Sequence, residues 1–236
     1  MLNLSSPALL FCLLLLLMQP ATAQDAEPRD PDPWERWNRN VYLFNQFADR
    51  YLLKPTAKVY QAVTPEIVDI GITNFFRNLR EPITILNDVL QLKLAQAGMD
   101  SGRFLLNSTL GLAGFFDVAS DLGLPRHRED FGQSLGHWGV GAGPYLELPL
   151  LGSSSVRDAF GLIPDVYASP IVYVNDETAR MVATGLRVTD LRADLLKADE
   201  LITGDRYIFL RDSYLQQREA LVRDGEVEDD FGDEDF

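Results

Sequence analysis

Apolar positions recur at steps of three and four along most of the chain, the spacing of helices with one apolar face. Asp32-Pro33-Trp34-Glu35 has the form of a helix start, with Asp as N-cap, Pro at the first helical position and Glu at the third. Trp37, Val41, Phe44, Ala48 and Tyr51 then share a face, predicting a helix that ends near Lys54-Pro55. Thr64-Pro65-Glu66 opens a second helix, carrying Ile67, Ile70, Asn74, Phe75, Asn78 and Leu79 up to Glu81-Pro82, where proline is expected to stop it. A further pattern runs from Ile83 through Leu86, Leu90 and Leu94, and another covers about Ala95 to Leu110. Ser153 to Ser155 can cap a short helix holding Val156, Arg157 and Asp158. Helical spacing returns over about Asp176 to Ile202 and Asp205 to Arg223. Short helices joined by Pro and Gly, with few β-branched alternations, predict an all-α architecture.

Between Gly111 and Gly152 the texture changes: glycines and prolines interleave with Phe115, Phe116, Trp138, Tyr145 and several leucines. Glycine beside so much apolar surface is not a solvated linker. It predicts an ordered, irregular segment in which the backbone bends tightly or approaches something closely.

The two ends read differently from the body. Ala8 to Met18 is an uninterrupted apolar run, closed by Gln19-Pro20 and followed by Ala21-Thr22-Ala23, the form of a signal peptide cleaved before Gln24. An uncleaved anchor is the alternative, because the n-region lacks Lys and Arg. The expected organisation is a signal peptide over 1–23, a linker over 24–31, a helical domain over 32–223 and an acidic, solvated tail over 224–236. That tail changes the charge picture. The chain has 21 Lys+Arg against 35 Asp+Glu, net −14, and more than half of the excess lies after Arg223. So acidic a balance argues against nucleic acid and against polybasic docking to anionic lipid. The one cysteine, Cys12, sits inside the apolar leader, so no disulfide and no Cys-based metal site is expected.

Candidate chemistry is thin. Gly132-Gln133-Ser134-Leu135-Gly136 matches the G-x-S-x-G nucleophile elbow, and a lipolytic enzyme using Ser134 is one reading of it. The elbow, however, needs a strand before the serine, and an acid and then a histidine after it. No strand pattern precedes Gly132, and the last histidine, His137, follows Ser134 with no acid between. A structural turn fits better. His127 and His137 lack metal-ligand spacing, and no phosphate-cradling glycine loop occurs. No catalytic residue, metal or cofactor is assigned.

The succession of short motifs is more specific. It comprises Trp37-Asn38-Arg39, Phe44-Asn45, Asn74-Phe75, Asn78-Leu79-Arg80-Glu81-Pro82, Asn87-Asp88-Val89-Leu90-Gln91, Gly102-Arg103-Phe104-Leu105-Leu106-Asn107-Ser108-Thr109-Leu110-Gly111, Glu129-Asp130-Phe131-Gly132-Gln133-Ser134-Leu135-Gly136, Gly139-Val140-Gly141-Ala142-Gly143-Pro144-Tyr145 and Leu148-Pro149-Leu150-Leu151-Gly152. In this order it resembles the VacJ/MlaA family of outer-membrane lipoproteins, over roughly Asp32 to Ala220.

The resemblance implies a mostly helical, ring-like protein at the periplasmic side of the outer membrane. Its implied partners are phospholipid, a trimeric porin and a soluble periplasmic lipid-binding protein. The implied activity is non-enzymatic: phospholipids misplaced in the outer leaflet leave through an amphipathic channel, which maintains lipid asymmetry. A soluble periplasmic lipid- or protein-binding module is the alternative. Phe44, Asn45, Trp138, Gly139, Gly141, Gly143, Tyr145, Leu146 and Leu148 are the residues expected at the lipid channel or its gate. For the glycine-rich stretch a rigid turn scaffold competes with that role. Asn38, Arg39, Asn74, Asn78, Arg80, Glu81, Asn87, Arg103 and Asn107 are expected to form an internal polar network, since buried amides and charges need partners. One departure stands out: the family typically has a lipobox cysteine where this chain has Ala21-Thr22-Ala23, so attachment would rest on amphipathic helices and a partner.

Overall fold

In a computed structural model describing residues 30–200, 202 and 204–225, the helical spacing becomes α1 (Glu35–Ala48), α2 (Lys54–Val63), α3 (Glu66–Leu90), α4 (Leu94–Thr109), α5 (Val118–Asp121), α6 (Phe131–His137), α7 (Val156–Ala168), α8 (Glu177–Asp194) and α9 (Arg206–Val222). The leader, most of the linker and nearly all of the acidic tail lie outside the described residues. Local chemistry sets several of the starts. Asp130, Ser155, Asp176 and Asp205 each accept a backbone N–H bond as N-caps of α6, α7, α8 and α9. Asp32, expected as the cap of α1, is instead buried: it accepts from Asn38 Nδ2 at 2.7 Å and from the Tyr207 hydroxyl, tying α1 to α9.

Three helix boundaries differ from expectation. The chain does not stop at Lys54-Pro55 but passes through a π-helical turn, Asp49–Leu53, into α2, with Pro55 as the second residue of α2. Nor does Pro82 end α3, which absorbs the separate helix expected from Ile83. A helix-interior proline costs about 3 kcal/mol. Here buried Asn78, Glu81, Ile83, Thr84, Asn87 and Asp88 lie on both sides of it, and α4 packs along the same helix. Finally α8 ends at Asp194, short of Ile202, and the chain turns through Ala198–Glu200 so that Asp199 reaches Lys54, Arg192 and Arg206.

The glycine-rich segment is more regular than expected. It contains α6 and the first strand of an antiparallel hairpin, β1 (Tyr145–Leu148) and β2 (Gly152–Ser155), with Tyr145 opposite Ser155 and Leu148 opposite Gly152. Two of its glycines serve close packing. A Cβ on Gly132 would meet Asp158 Oδ1 at 2.5 Å, and one on Gly136 would meet Val222 Cγ1 at 2.7 Å. Bending accounts for Gly143, whose φ is +70°.

Burial follows an unusual rule. Among the described residues buried polar and charged side chains outnumber buried apolar ones, while Trp37, Phe44, Phe47, Tyr51, Val63, Ile67, Phe160 and Tyr167 are all more than half exposed. In α1 the buried positions are Asn38, Val41 and Tyr42, so of the face the spacing displays Val41 is buried while its aromatic members Trp37, Phe44 and Tyr51 are exposed. The apolar core consists of small clusters. Tyr42, Tyr145 and Tyr207 pack edge-on, with Tyr207 to Tyr42 centroids 5.5 Å apart and Tyr207 to Tyr145 centroids 6.1 Å apart. Ala57, Tyr60 and Ala193 join α2 to α8. Core tyrosines donate to carboxylates, Tyr145 to Glu147 at 2.6 Å and Tyr60 to Asp190 at 3.0 Å, so even this core is half polar.

Candidate functional site

A cavity of about 850 Å³ opens between α1, the β-hairpin, the end of α8 and α9. Its wall is amphipathic. Leu195, Ile202, Phe209 and Leu210 supply apolar surface, and Arg50, Lys54, Arg192 and Arg206 face Asp49, Glu147 and Asp199. Asp199 organises the charged groups: Lys54 Nζ lies 3.0 Å from its Oδ2, Arg192 also binds Oδ2, and Arg206 binds Oδ1. Burial alone would raise the Asp199 carboxyl, but the bonds from these three cations hold it well below the usual carboxylate range. Arg192 in turn grips Asp49 with two nitrogens, and that bond keeps its guanidinium firmly charged.

Two asparagines fix the hairpin that forms one wall. Asn38 donates Nδ2 to the Tyr145 carbonyl at 3.1 Å and accepts from Glu147 N–H at 2.9 Å. Asn45 donates to Glu147 Oε1 and to the Leu148 carbonyl, both at 2.9 Å, and accepts from Leu150 N–H at 2.7 Å. Of the residues expected at the lipid channel, Asn45 lines this cavity. The others do not line it. Phe44 is turned outward, and Tyr145 is fully buried in the tyrosine cluster. Leu146 and Leu148 are half-buried on the hairpin, and Gly139, Gly141 and Gly143 form the exposed run that leads into it. Trp138, at the end of α6, donates Nε1 to the Leu90 carbonyl at 3.2 Å.

The expected polar network divides among several partners. Asn78 donates to Ser108 Oγ at 2.9 Å, joining α3 to α4. Arg103 holds Asp117 with Nη2 and donates to Ser120, while Asn107 donates to the same Asp117 at 2.9 Å and accepts from Ala119 N–H, so these residues knit α4 to α5. Asn87 donates to Asp165 at 3.3 Å. Arg39 lies near the surface, bridging Glu35 and Asp205 with its guanidinium 4.4 Å from the Tyr207 ring. Among the described residues Arg80 and Glu81 have only long pairs, with Asp130 at 4.0 Å and Arg126 at 3.8 Å, and Asn74 is half-buried on α3.

Ser134 does not stand at a strand-to-helix elbow. It is buried inside α6, and its hydroxyl donates to Asn87 Oδ1 at 2.8 Å. The cavity-forming cluster of Lys54, Arg192, Asp199 and Arg206 escaped sequence reasoning, because Lys54 and Asp199 are 145 positions apart and no local motif joins them.

Comparison with known proteins fits this geometry. A family model for the MlaA lipoprotein matches residues 30–221. The chain belongs to the MlaA family. The intermembrane phospholipid transport system lipoprotein MlaA of Escherichia coli is 34% identical over 221 residues, covering 90% of this chain and 86% of that one. An uncharacterised protein of Rickettsia conorii is 36% identical over 197 residues, covering 81% and 78% of the two chains. A solved structure reported for the structural basis of maintenance of bacterial outer membrane lipid asymmetry superposes with a TM-score of 0.70 at 34% identity, covering 81% of this chain and 98% of that one. The MlaA fold is thus helical, with the hairpin as its β-structure among the described residues.

Proposed function

We propose that this chain is an outer-membrane-associated phospholipid transport component. It admits phospholipids misplaced in the outer leaflet, conducts them along an amphipathic interior and passes them to a soluble periplasmic carrier, with a trimeric porin as its membrane partner. The observation that carries the reading is the inverted polarity of the fold. Exposed Trp37, Phe47, Tyr51, Phe160 and Tyr167 suit a bilayer interface, whereas the interior holds carboxylates, amides and guanidinium groups. Among the described residues no helix is long and apolar enough to cross a membrane. The proposed seat is the interfacial layer, held by the exposed aromatic side chains and the porin partner.

The 850 Å³ cavity suits that role, since Leu195, Ile202, Phe209 and Leu210 can receive acyl chain beside charged groups that can hold a headgroup. The work is selective passage and no bond is made or broken. The test measures outer-leaflet phospholipid in cells lacking the chain and in cells re-expressing it, together with membrane fractionation after a high-salt wash. Accumulation that re-expression reverses, with the protein retained in the outer membrane, is the expected result. Recovery wholly in the soluble periplasm would overturn the membrane-seated reading in favour of a soluble binding module.

A further inference from the structure

A second cavity of about 360 Å³ lies between α3, the segment before α6, and α8, on the other side of α8 from the first. Arg77, Arg80, Arg126, Arg128 and Arg187 all line it, in a chain whose net charge is −14. Two carboxylates share the wall, and Asp190 is already engaged by the Tyr60 hydroxyl at 3.0 Å and Thr73 Oγ1 at 3.1 Å. The only ion pairs reaching these arginines among the described residues are the long ones of Arg80 to Asp130, 4.0 Å, and Arg126 to Glu81, 3.8 Å. Arg80 Nε is buried with no hydrogen-bond partner.

Such a cavity is electrostatically unbalanced. Burial lowers the pKa of Arg80, Arg126, Arg128 and Arg187, and neighbouring arginines lower each further: Arg187 acts on Arg80, Arg77 on Arg126, Arg80 on Arg128 and Arg128 on Arg187. Guanidinium groups do not lose their protons in proteins, so the positive charge stays, offset only in part by Asp130 and Asp165 at Arg80, by Asp130 at Arg128 and by Glu81 and Asp117 at Arg126. An anion that accepts several forked N–H bonds relieves it, and a phosphoryl group matches that donor geometry.

We propose that the arginine-lined cavity between α3 and α8 is a binding site for a phosphoryl group, which the transport reading supplies as a phospholipid headgroup. The proposal rests on that reading for the source of the phosphate, not for the site. The volume suits a headgroup, being at the low end of the roughly 300–1,000 Å³ of small-molecule sites. Leu191, exposed on α8, and Phe76 of α3 line the same cavity and offer apolar surface for the attached chains.

The experiment uses the full chain in detergent and native mass spectrometry with three probes: short-chain phosphatidylglycerol, inorganic phosphate, and a diacylglycerol with the same acyl chains. Arg128→Gln/Arg187→Gln is compared with Arg128→Lys/Arg187→Lys, which keeps the charge, and thermal unfolding confirms that both are folded. The Gln pair is expected to weaken phosphatidylglycerol retention by at least about tenfold, the scale of one or two lost charge-assisted bonds, with diacylglycerol retention unchanged and the Lys pair in between. Competition by inorganic phosphate assigns the site to phosphate from either source, and its absence assigns it to the lipid headgroup. Wild-type retention of phosphatidylglycerol that survives the Gln substitutions would overturn the site while leaving the transport reading intact. Failure of the wild type to hold either lipid, with phosphate binding still sensitive to Arg128 and Arg187, would instead overturn the transport reading and leave a phosphate site.

Discussion

Ser134 in α6 donates its hydroxyl proton to Asn87 in α3 across 2.8 Å, with both residues buried. That bond accounts for the serine better than chemistry does. Ser134 Oγ also accepts from Gln91 Nε2 at 3.2 Å, so the hydroxyl is engaged both as donor and as acceptor. Ser134→Ala leaves Asn87 Oδ1 unsatisfied, and the expected loss is about 1–3 kcal/mol of stability. Denaturant unfolding checks this, with ester hydrolysis assayed in parallel. Retained stability together with lost hydrolysis would restore the nucleophile reading.

The serine also illustrates what the sequence could and could not disclose. Helical spacing located most of the helices, and the cap at Ser155 was visible as local chemistry because it bonds within three residues. The inside and outside of those helices were not visible. Spacing shows that Trp37, Phe44 and Tyr51 share a face, but only the environment decides whether that face turns inward, and here it turns outward. Pro82 departs from expectation for a related reason: its cost is local, whereas the packing that outweighs it comes from α4. Asn45 was singled out by motif, while its partners Glu147 and Leu148 lie more than a hundred positions away, as do the partners of Lys54 and Arg192. Long-range ion pairs leave no periodic trace.

Arg218 of α9 makes the strongest of these long-range junctions. Its Nη1 and Nη2 grip Asp130 at 2.7 and 2.9 Å, and Nε and Nη2 reach Asp158 at 2.9 Å each, which fastens α9 to the starts of α6 and α7. Burial by itself would raise both carboxyls, yet the guanidinium holds both below the usual range. Groups with depressed folded pKa stabilise above the unfolded value near 4 and cease to do so as pH falls through the folded value. Arg218→Met strands two buried charges and is expected to cost about 3–5 kcal/mol at pH 7. Thermal unfolding between pH 7 and pH 3 should show the wild type losing stability on acidification and the variant losing much less. Parallel curves would remove the junction's assigned role.

A second pH effect runs in the opposite direction, on the neutral side. Burial pushes Glu81 up to about 7, with Arg126 and Arg103 opposing and Asp100 and Asp117 adding to the shift. Burial also pushes Asp88 well above the carboxylate range, reinforced by Asp100 and Glu129 and opposed by Lys93. Neither oxygen of Asp88 has a hydrogen-bond partner among the described residues. A carboxyl with a raised folded pKa binds its proton more tightly in the native state, so stability falls as pH rises from the unfolded value near 4 through the folded value. The protein should therefore unfold at a lower temperature at pH 8 than at pH 5.5. Asp88→Asn, which is neutral throughout, should flatten that slope and raise the unfolding temperature at pH 8. A variant less stable than wild type at pH 8 would show that a charged Asp88 is needed.

The last prediction concerns the wall of the large cavity. Asn45 supplies both amide groups to the hairpin, donating to Glu147 Oε1 and the Leu148 carbonyl and accepting from Leu150 N–H, so one side chain sets how far the hairpin sits from α1. Asn38 holds the other end of β1 through Tyr145 and Glu147. Asn45→Ala releases the hairpin turn while leaving the Asn38 clamp and the tyrosine cluster in place. The expected stability loss is modest, about 1–2 kcal/mol, because Leu150 is exposed and water can replace part of what is lost. The functional effect should be larger than the stability effect, since the cavity wall moves while the fold persists. Outer-leaflet phospholipid, measured in cells expressing equal amounts of wild type and variant, is expected to differ. Asn45→Asp, which can still accept from Leu150 N–H but sets a carboxylate against Glu147, should disturb lipid distribution at least as strongly as alanine. Unchanged lipid distribution for both variants at normal expression would separate the hairpin's position from control of the lipid path.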